Sequence, residues 1–328
     1  MNYILVDTAN TFFRARHAIR GSLEEKVGMS IHTILSSIRK AWKDFNGDHI
    51  IFCLEGRSWR KDYYEPYKKQ RQDARALHSP KEQEEEKVFW ETFDDFKSFI
   101  TLQTNSTVLH NPQLEADDLI AGWISQHPND NHVIISTDGD FAQLIAPNVK
   151  QYNGVLGVTI THEGYFDEKN NPVIDKKTKK VKEAPDPQWL LFKKCIRGDV
   201  SDNIFSAYPG VREKGSKNKV GLLEAYQDRL QKGYNWNNLM LQRWTDHNGV
   251  EHRVVDDFQR NVQLCDLTAQ PDHIKSIIID TIAQEIGKEK NISQVGIRLL
   301  KYCSKHDLQK VSEQVQSYAE PLNARYIQ

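Results

Sequence analysis

The sequence has few cysteines, no long apolar run and almost no net charge. Each shortage excludes something. Its four cysteines, Cys53, Cys195, Cys265 and Cys303, lie far apart and form no C-x-x-C. That argues against a zinc site or a disulfide framework and fits a reducing cytoplasm. No apolar run approaches the roughly 18 residues of a membrane helix, so no membrane attachment is expected. The opening MNYILVDTAN lacks a basic region and a long apolar region. It reads as a strand, not as a secretory signal. The formal net charge is −1, so any charged partner must be met by local asymmetry. No internal repeat is visible.

What is present suits a folded protein. Hydrophobic residues make up 38% of the 328, enough for a core, and aromatics at 10% argue against disorder. The length allows one large domain or two. Tyr3 to Val6, His49 to Leu54, Thr107 to His110 and Val133 to Ser136 read as short buried strands. Between them lies a helix from about Ser30 to Asn46, with Ile31, Ile34, Leu35, Ile38 and Trp42 on one face and Gly47 as its C-cap. A further helix opens near Glu115. Strands separated by helices predict an α/β fold, a parallel sheet covered on both faces. Gly154 to Phe166 alternates like a hairpin. Asn170 to Pro187 is rich in Lys and Pro and reads as exposed, with Lys176–Lys182 at a solvated tip. From Trp189 onward the pattern is mostly helical. The expected division is 1–185 and 186–328.

Acids gather where the strands end. VIISTDGDFAQL, Val133 to Leu144, runs from core strand straight into Asp138 and Asp140. Asp7 ends the first strand and Glu55 the second, while Glu115, Asp117 and Asp118 open the helix after the third. Asp199 and Asp202 come from RGDVSDN. Any one of them could be a helix cap, Asp138 for the segment from Phe141 included. Asp117 fits that reading less well, because it lies on a flank of the stripe formed by Ile120 and Ile124. Glu115, about 200° away on an ideal helix, must then belong to the entering turn if both face one centre. In a parallel sheet the ligand sits beyond the carboxyl ends of the strands. An oxygen-only cluster there suits hard cations such as Mg²⁺ or Mn²⁺. More acids than one ion can use implies two ions, the arrangement that clamps a phosphodiester.

Positive charge is also local. Arg57 to Arg75 holds seven Lys/Arg against three Asp/Glu, with Trp59, Tyr63, Tyr64 and Tyr67 interleaved. Charge beside stackable rings suits single-stranded nucleic acid, although a solvated amphipathic helix gives the same pattern. Glu82 to Glu86 then reverses the sign. Arg212, Lys214, Lys217 and Lys219 form a second basic group among Gly210, Gly215 and Gly221, suited to duplex phosphates or to an ordinary Lys-rich loop.

Five blocks in order carry a resemblance: LVDTAN at Asp7, FCLEGRSWRKDYYEPYKKQR from Phe52, LEADDLIAG at Leu114, ISTDGDFAQL at Ile135 and RGDVSDNI at Arg197. The chain resembles the 5′-nucleases, the flap endonuclease and 5′–3′ exonuclease family, and most closely the T-even phage RNase H type. The resemblance covers roughly residues 1–270. It implies a parallel sheet, a helical arch over about 57–95 and a helix–three-turn–helix DNA clamp. Asp7, Glu55, Glu115 and Asp117 would hold one Mg²⁺. Asp138, Asp140, Asp199 and Asp202 would hold a second, with Asp117 or Asp118 between them and with Asp118 and Asp199 acting through water. Mn²⁺ would substitute. Lys68 would meet the scissile phosphate and Arg71 its neighbour. Arg60 and Tyr67 in the arch, and Gly210, Lys214, Lys217 and Lys219 in the clamp, would bind nucleic acid. Two departures stand out. Glu55 replaces the family's usual Asp, and the clamp lacks the compact G-x-G-x-K spacing, which leaves a K⁺ site open.

The implied activity is removal of 5′ flaps or RNA primers from duplex DNA by a monomeric, cytoplasmic replication or repair enzyme. The substrate would be flapped DNA or an RNA–DNA hybrid. The last ~50 residues carry no motif and would pack on the clamp or bind a single-strand-binding protein. A non-catalytic homologue and a DxD-type phosphatase or transferase are the rival readings. The lone acid on the first strand speaks against the latter.

Overall fold

The computed structural model describes residues 1–18, 21–216 and 219–327. Contacts divide the chain into two compact units. The first comprises Met1–Ser58, Leu77–Pro185 and His273–Gln328, and the second Trp59–Ala76 and Asp186–Asp272.

The first unit is built on a seven-stranded sheet, in the order β3-β2-β1-β4-β5-β6-β7. The strands are β1 (Asn2–Asp7), β2 (His49–Cys53), β3 (Thr107–Leu109), β4 (Asn131–Ile135), β5 (Val149–Asn153), β6 (Val158–Thr161) and β7 (Gly164–Asp167). Pairing is parallel from β3 to β5 and antiparallel from β5 to β7. β1 and β2 are apolar runs because both of their faces are covered. Their registers align Asp7 with Cys53 and Val6 with Ile135, so the carboxyl ends of β1, β2 and β4 are level. Successive strands depart in opposite directions from β1 and β4. That crevice is the topological switch point of the sheet.

The helix expected from Ser30 begins earlier and spans Leu23–Asp44. Ser22 caps it, accepting from Glu25 N–H while Glu25 Oε2 accepts from Ser22 N–H. Asn46, not Gly47, takes the left-handed conformation after it, with φ 50°. Gly47 is small for another reason: a Cβ there would lie 2.7 Å from the Trp42 ring.

The C-terminal segment is a correction to the division at residue 185. Leu299, Tyr302, Val311, Tyr318 and Leu322 belong to the same apolar core as Val6, Ile31, Phe52 and Phe96. The Tyr302 ring stacks on Phe99 at 4.4 Å. Residues 273–328 therefore complete the α/β unit; they are not part of the unit that carries 186–272. The 57–95 segment is divided too. Trp59–Ala76 belongs to the second unit, whereas helix Pro80–Gln103 buries Phe89, Phe93, Phe96 and Phe99 in the first. Glu82 of the acidic run closes a capping box with Ser79 at the start of that helix.

The second unit packs helices Pro187–Arg197 and Val254–Cys265 with Leu222, Leu239 and Met240 around Phe192 and Ile196. It carries a hairpin, β8 (Arg243–Thr245) and β9 (Glu251–Arg253), that the sequence pattern did not announce.

Candidate metal centre

In the first unit, Asp7 leaves the carboxyl end of β1 only 5% exposed. Its Oδ2 accepts the Ser136 hydroxyl at 2.7 Å, and its Oδ1 accepts the Asn10 amide at 3.4 Å. Ser136 follows β4, and its Oγ also accepts Asp138 N–H at 3.0 Å. Asn10 Oδ1 accepts both the amide and the hydroxyl of Thr137, at 3.0 and 2.9 Å. From β5, buried Gln151 donates to the carbonyls of Ser136 and Asp138, at 3.1 and 2.6 Å. The two sides of the switch point are thus cross-tied around the first acid. Ser136, Asn10 and Gln151 were not singled out in the sequence, where each is an ordinary polar residue near a motif.

Glu55 follows β2, and its Oε2 accepts Ala116 N–H at 3.3 Å. The approach depends on Gly56, which donates to Leu114 O at 2.7 Å while Arg57 N–H reaches Pro112 O at 2.7 Å. A Cβ on Gly56 would stand 2.2 Å from Asn111 O, so only glycine allows the two loops to meet so closely. Ser58, with φ 76°, donates its hydroxyl to Glu115 Oε2 at 2.7 Å.

Glu115 lies in the turn that enters helix Ala116–Gln126, with φ −91° and ψ 161°. It is 4% exposed. Asp118, not Asp117, is the acid on the buried face: it is fully buried, and its Oδ2 accepts Glu115 N–H at 3.2 Å. Asp117 is half-buried, with Oδ1 folded onto Asp118 N–H at 2.8 Å. Carboxylate oxygens of Glu115, Asp117 and Asp118 all lie within 4.8 Å of one another. Exposed Asp138 accepts Asp140 N–H at 2.9 Å and so caps the short 3-10 turn Gly139–Leu144. It caps this turn and still faces water.

These donors are oxygen only, are drawn from strand ends and one helix entry, and include no His or Cys. That is the donor chemistry of a hard divalent cation. Spacings under 5 Å between ligand oxygens suit a shared ion whose bonds are about 2.0–2.6 Å.

The second unit treats its acids differently. Asp199 Oδ2 pairs with Lys194 at 2.6 Å, and Oδ1 accepts the amide and hydroxyl of Ser201. Desolvation raises the Asp199 pKa, but the Lys194 and Ser201 contacts outweigh it and bring the pKa down to about 2. Lys194 had no signal in the sequence beyond its place on a helix face. Asp202 Oδ1 pairs with Arg71 at 2.6 Å, while Oδ2 accepts Tyr67 OH at 3.2 Å and lies 3.8 Å from Lys68 Nζ. Lys68 N–H also reaches Asp202 O at 2.8 Å. The RGDVSDN loop turns on Gly198, φ 74°, where a Cβ would meet Ile204 O at 2.2 Å.

Two expected nucleic-acid contacts are corrected here. Arg60 is 1% exposed and donates from Nε to Leu264 O at 2.9 Å. Tyr67 is 3% exposed, packed with Cys195, Ile204 and Leu264. Neither presents a surface to a ligand. Their aromatic and basic pattern serves the interior of this unit. Gly210, with φ 74° and open space around it, lines a groove of about 660 Å³ with Arg212, Gly215 and Lys219. Glu224 holds Gly215 N–H at 3.0 Å and Gly221 N–H at 3.0 Å beside it. Lys214 lies next to Gly215 in the sequence. Lys217 lies outside the described residues.

A mostly parallel sheet with carboxylates collected at its switch point defines a class of acid-lined α/β proteins. Within that class, the chain belongs to the 5′-3′ exonuclease family, matching its N-terminal resolvase-like domain over residues 2–179. It is 29% identical to a 5′-3′ exonuclease of Mycoplasmopsis pulmonis over 220 residues, which is 66% of this chain and 65% of that protein. It is also 29% identical to ribonuclease H of Enterobacteria phage T4 over 202 residues, 56% of each. A flap endonuclease Xni of Shewanella halifaxensis is 25% identical over 232 residues, 69% of this chain and 79% of that protein. The chain thus spans just under two-thirds of the first of these relatives and just over half of the second. Among solved structures, T5 5′-exonuclease with bound divalent zinc ions superposes with a TM-score of 0.58 at 19% identity, over 97% of this chain and all of that one. The bacteriophage T5 D15 flap endonuclease, in a complex with DNA and metal ions, gives 0.54 at 19%, over 98% of this chain and all of that one. At that identity the likeness is one of fold.

Proposed function

We propose that this chain is a divalent-metal-dependent 5′-nuclease that hydrolyses phosphodiesters of 5′ flaps or RNA primers on duplex DNA by a two-metal mechanism. The observation that carries the reading is the set of carboxylates at the level ends of β1, β2 and β4 and at the helix entry of Glu115, in a family of nucleases. Asp7, Glu55, Glu115 and Asp117 are the proposed holders of one Mg²⁺. Asp138, Asp140, Asp199 and Asp202 are the proposed holders of the second. Bound there, the ions would supply charge neutralisation at the scissile phosphate and an acidified water. The chain's own residues do the rest. Ser136 and Ser58 fix the carboxylates of Asp7 and Glu115. Lys68 and Arg71 hold their charge against Asp202 until a phosphate competes for it. The groove at Gly210, with Lys214 and Lys219 in the same loop, would present ammonium donors to duplex phosphates. Its family role as a clamp, with or without K⁺, is part of this proposal. No helix among the described residues is long and apolar enough to cross a membrane, and a cytoplasmic monomer acting on nucleic acid is the proposed setting.

The test is product mapping on a 5′-labelled RNA–DNA flap with Mg²⁺ and with chelator. Cleavage should require the divalent ion, with Mn²⁺ able to substitute. Asp138→Asn should abolish cleavage and leave DNA binding intact. Undiminished cutting in excess chelator would remove the two-metal reading.

A further inference from the structure

Ser58 is the last residue of the first unit, and Trp59 is the first of the second. It is 2% exposed, with φ 76°. That is the left-handed region, where any Cβ is unfavourable and where glycine or asparagine would cost least. A strained, buried serine needs a reason to persist. The amides of Gly56 and Arg57 bind the loop before Glu115. What serine adds is its hydroxyl, 2.7 Å from Glu115 Oε2. Glu115 is itself buried to within 4%. Hydrogen bonds from a hydroxyl to a carboxylate are short and strong. Such a bond fixes the rotation of the carboxylate and commits one of its oxygens.

We propose that Ser58 is a positioning residue for the metal centre. Its hydroxyl holds Glu115 Oε2, so that the carboxylate meets the cation in one orientation, and the left-handed backbone is kept because it aims that hydroxyl. The inference rests on the metal-nuclease reading above. The residue that sets a buried carboxylate immediately precedes the segment carrying Lys68 and Arg71.

The parent protein, Ser58→Gly and Ser58→Ala separate the hydroxyl from the backbone. Mn²⁺ binding to the full chain is measured by calorimetry without nucleic acid. Melting is followed in chelator, and flap cleavage is titrated with Mg²⁺. Both variants should bind Mn²⁺ about tenfold more weakly, the usual loss when a partner of a metal-bound group is removed. Both should need correspondingly more Mg²⁺, with the rate at saturating Mg²⁺ changing less. In chelator, Ser58→Ala should melt below the parent because it loses the hydroxyl bond and keeps the strained backbone, and Ser58→Gly should melt above Ser58→Ala because its backbone is relaxed. The metal effect then follows the hydroxyl, and the difference in melting between the two variants follows the Cβ. Parent-like Mn²⁺ binding by Ser58→Gly would overturn the positioning role and leave the nuclease reading standing. A parent that binds no Mn²⁺ and cuts in chelator would end both.

Discussion

At the scale of single residues, a carboxylate beside a core can be tolerated through a hydroxyl, a backbone amide or a cation. Asp7 has the hydroxyl of Ser136, Glu55 the amide of Ala116, and Asp199 the ammonium of Lys194. Glu55 is the instructive case, since the family's usual residue there is Asp. Its extra methylene reaches about 1.5 Å further, one C–C bond, and its Oε2 is directed at the helix entry that carries Glu115. Mg²⁺ holds tight octahedral geometry yet often keeps several waters, so a longer ligand can replace a water-bridged one. Glu55→Gln should lose most activity, while Glu55→Asp should keep a measurable share. Mn²⁺, which such sites bind more readily than Mg²⁺, should rescue Glu55→Gln the better of the two. Steady-state cleavage in each metal checks this, and a Glu55→Gln enzyme with full Mg²⁺ activity would show that this carboxylate binds no ion. The acids themselves were legible in the sequence because each sits where a buried strand or stripe stops. Their partners were not: Ser58, Ser136 and Lys194 carry no periodicity and no motif of their own.

At the scale of elements, legibility followed burial. β1, β2 and β4 are buried along nearly their whole length and read as apolar runs. β5, Val149–Asn153, was missed because VKQYN alternates poorly. Its buried Gln151 donates to the carbonyls of Ser136 and Asp138. The start of helix Leu23–Asp44 was missed because LEEKVGM has few apolar residues, although Ser22 and Glu25 spell a capping box. The meeting of the β2 loop with the loop before Glu115 is also set by an element, since its closeness depends on Gly56. Gly56→Ala must separate those loops or distort them. It should cost roughly 1–3 kcal/mol, the range for forced overpacking, and weaken Mn²⁺ binding in parallel. Denaturant midpoints and calorimetry measure the two effects. A variant as stable as the parent would show that the loops have room to spare.

At the scale of the whole chain, the C-terminal segment is tied to the sheet by a histidine. His49 on β2 accepts Thr107 N–H at Nε2, so Nδ1 carries the proton toward Ala324 O at 3.2 Å. Burial lowers its pKa to about 4. Burial pushes His132, His110 and His32 the same way. Between about 6.5 and 4 the unfolded chain therefore binds protons that the folded chain does not, and stability falls as the pH drops through that window. For His49 alone the full loss is on the order of 3 kcal/mol. Urea unfolding from pH 7.5 to 4.5 should show the decline, and His49→Gln should flatten part of it. An unchanged slope in that variant would locate the proton uptake elsewhere. None of this was visible in the sequence, because the last 50 or so residues declare themselves helical but not where they dock.

The interrupted layout of the first unit bears on how the protein is made. A ribosome delivers Asp7, Glu55, Glu115 and Asp138 early, and then spends residues 186–272 on a different body. Only afterwards do Leu299, Tyr302, Val311 and Leu322 emerge to close the apolar layer that Val6, Ile31, Phe52 and Phe96 have left open. Until then the nascent chain holds its acids on a sheet whose apolar layer is not yet closed. If these acids cut nucleic acid, the cutting waits until Leu299, Tyr302, Val311 and Leu322 have emerged and packed, long after the acids themselves have left the ribosome.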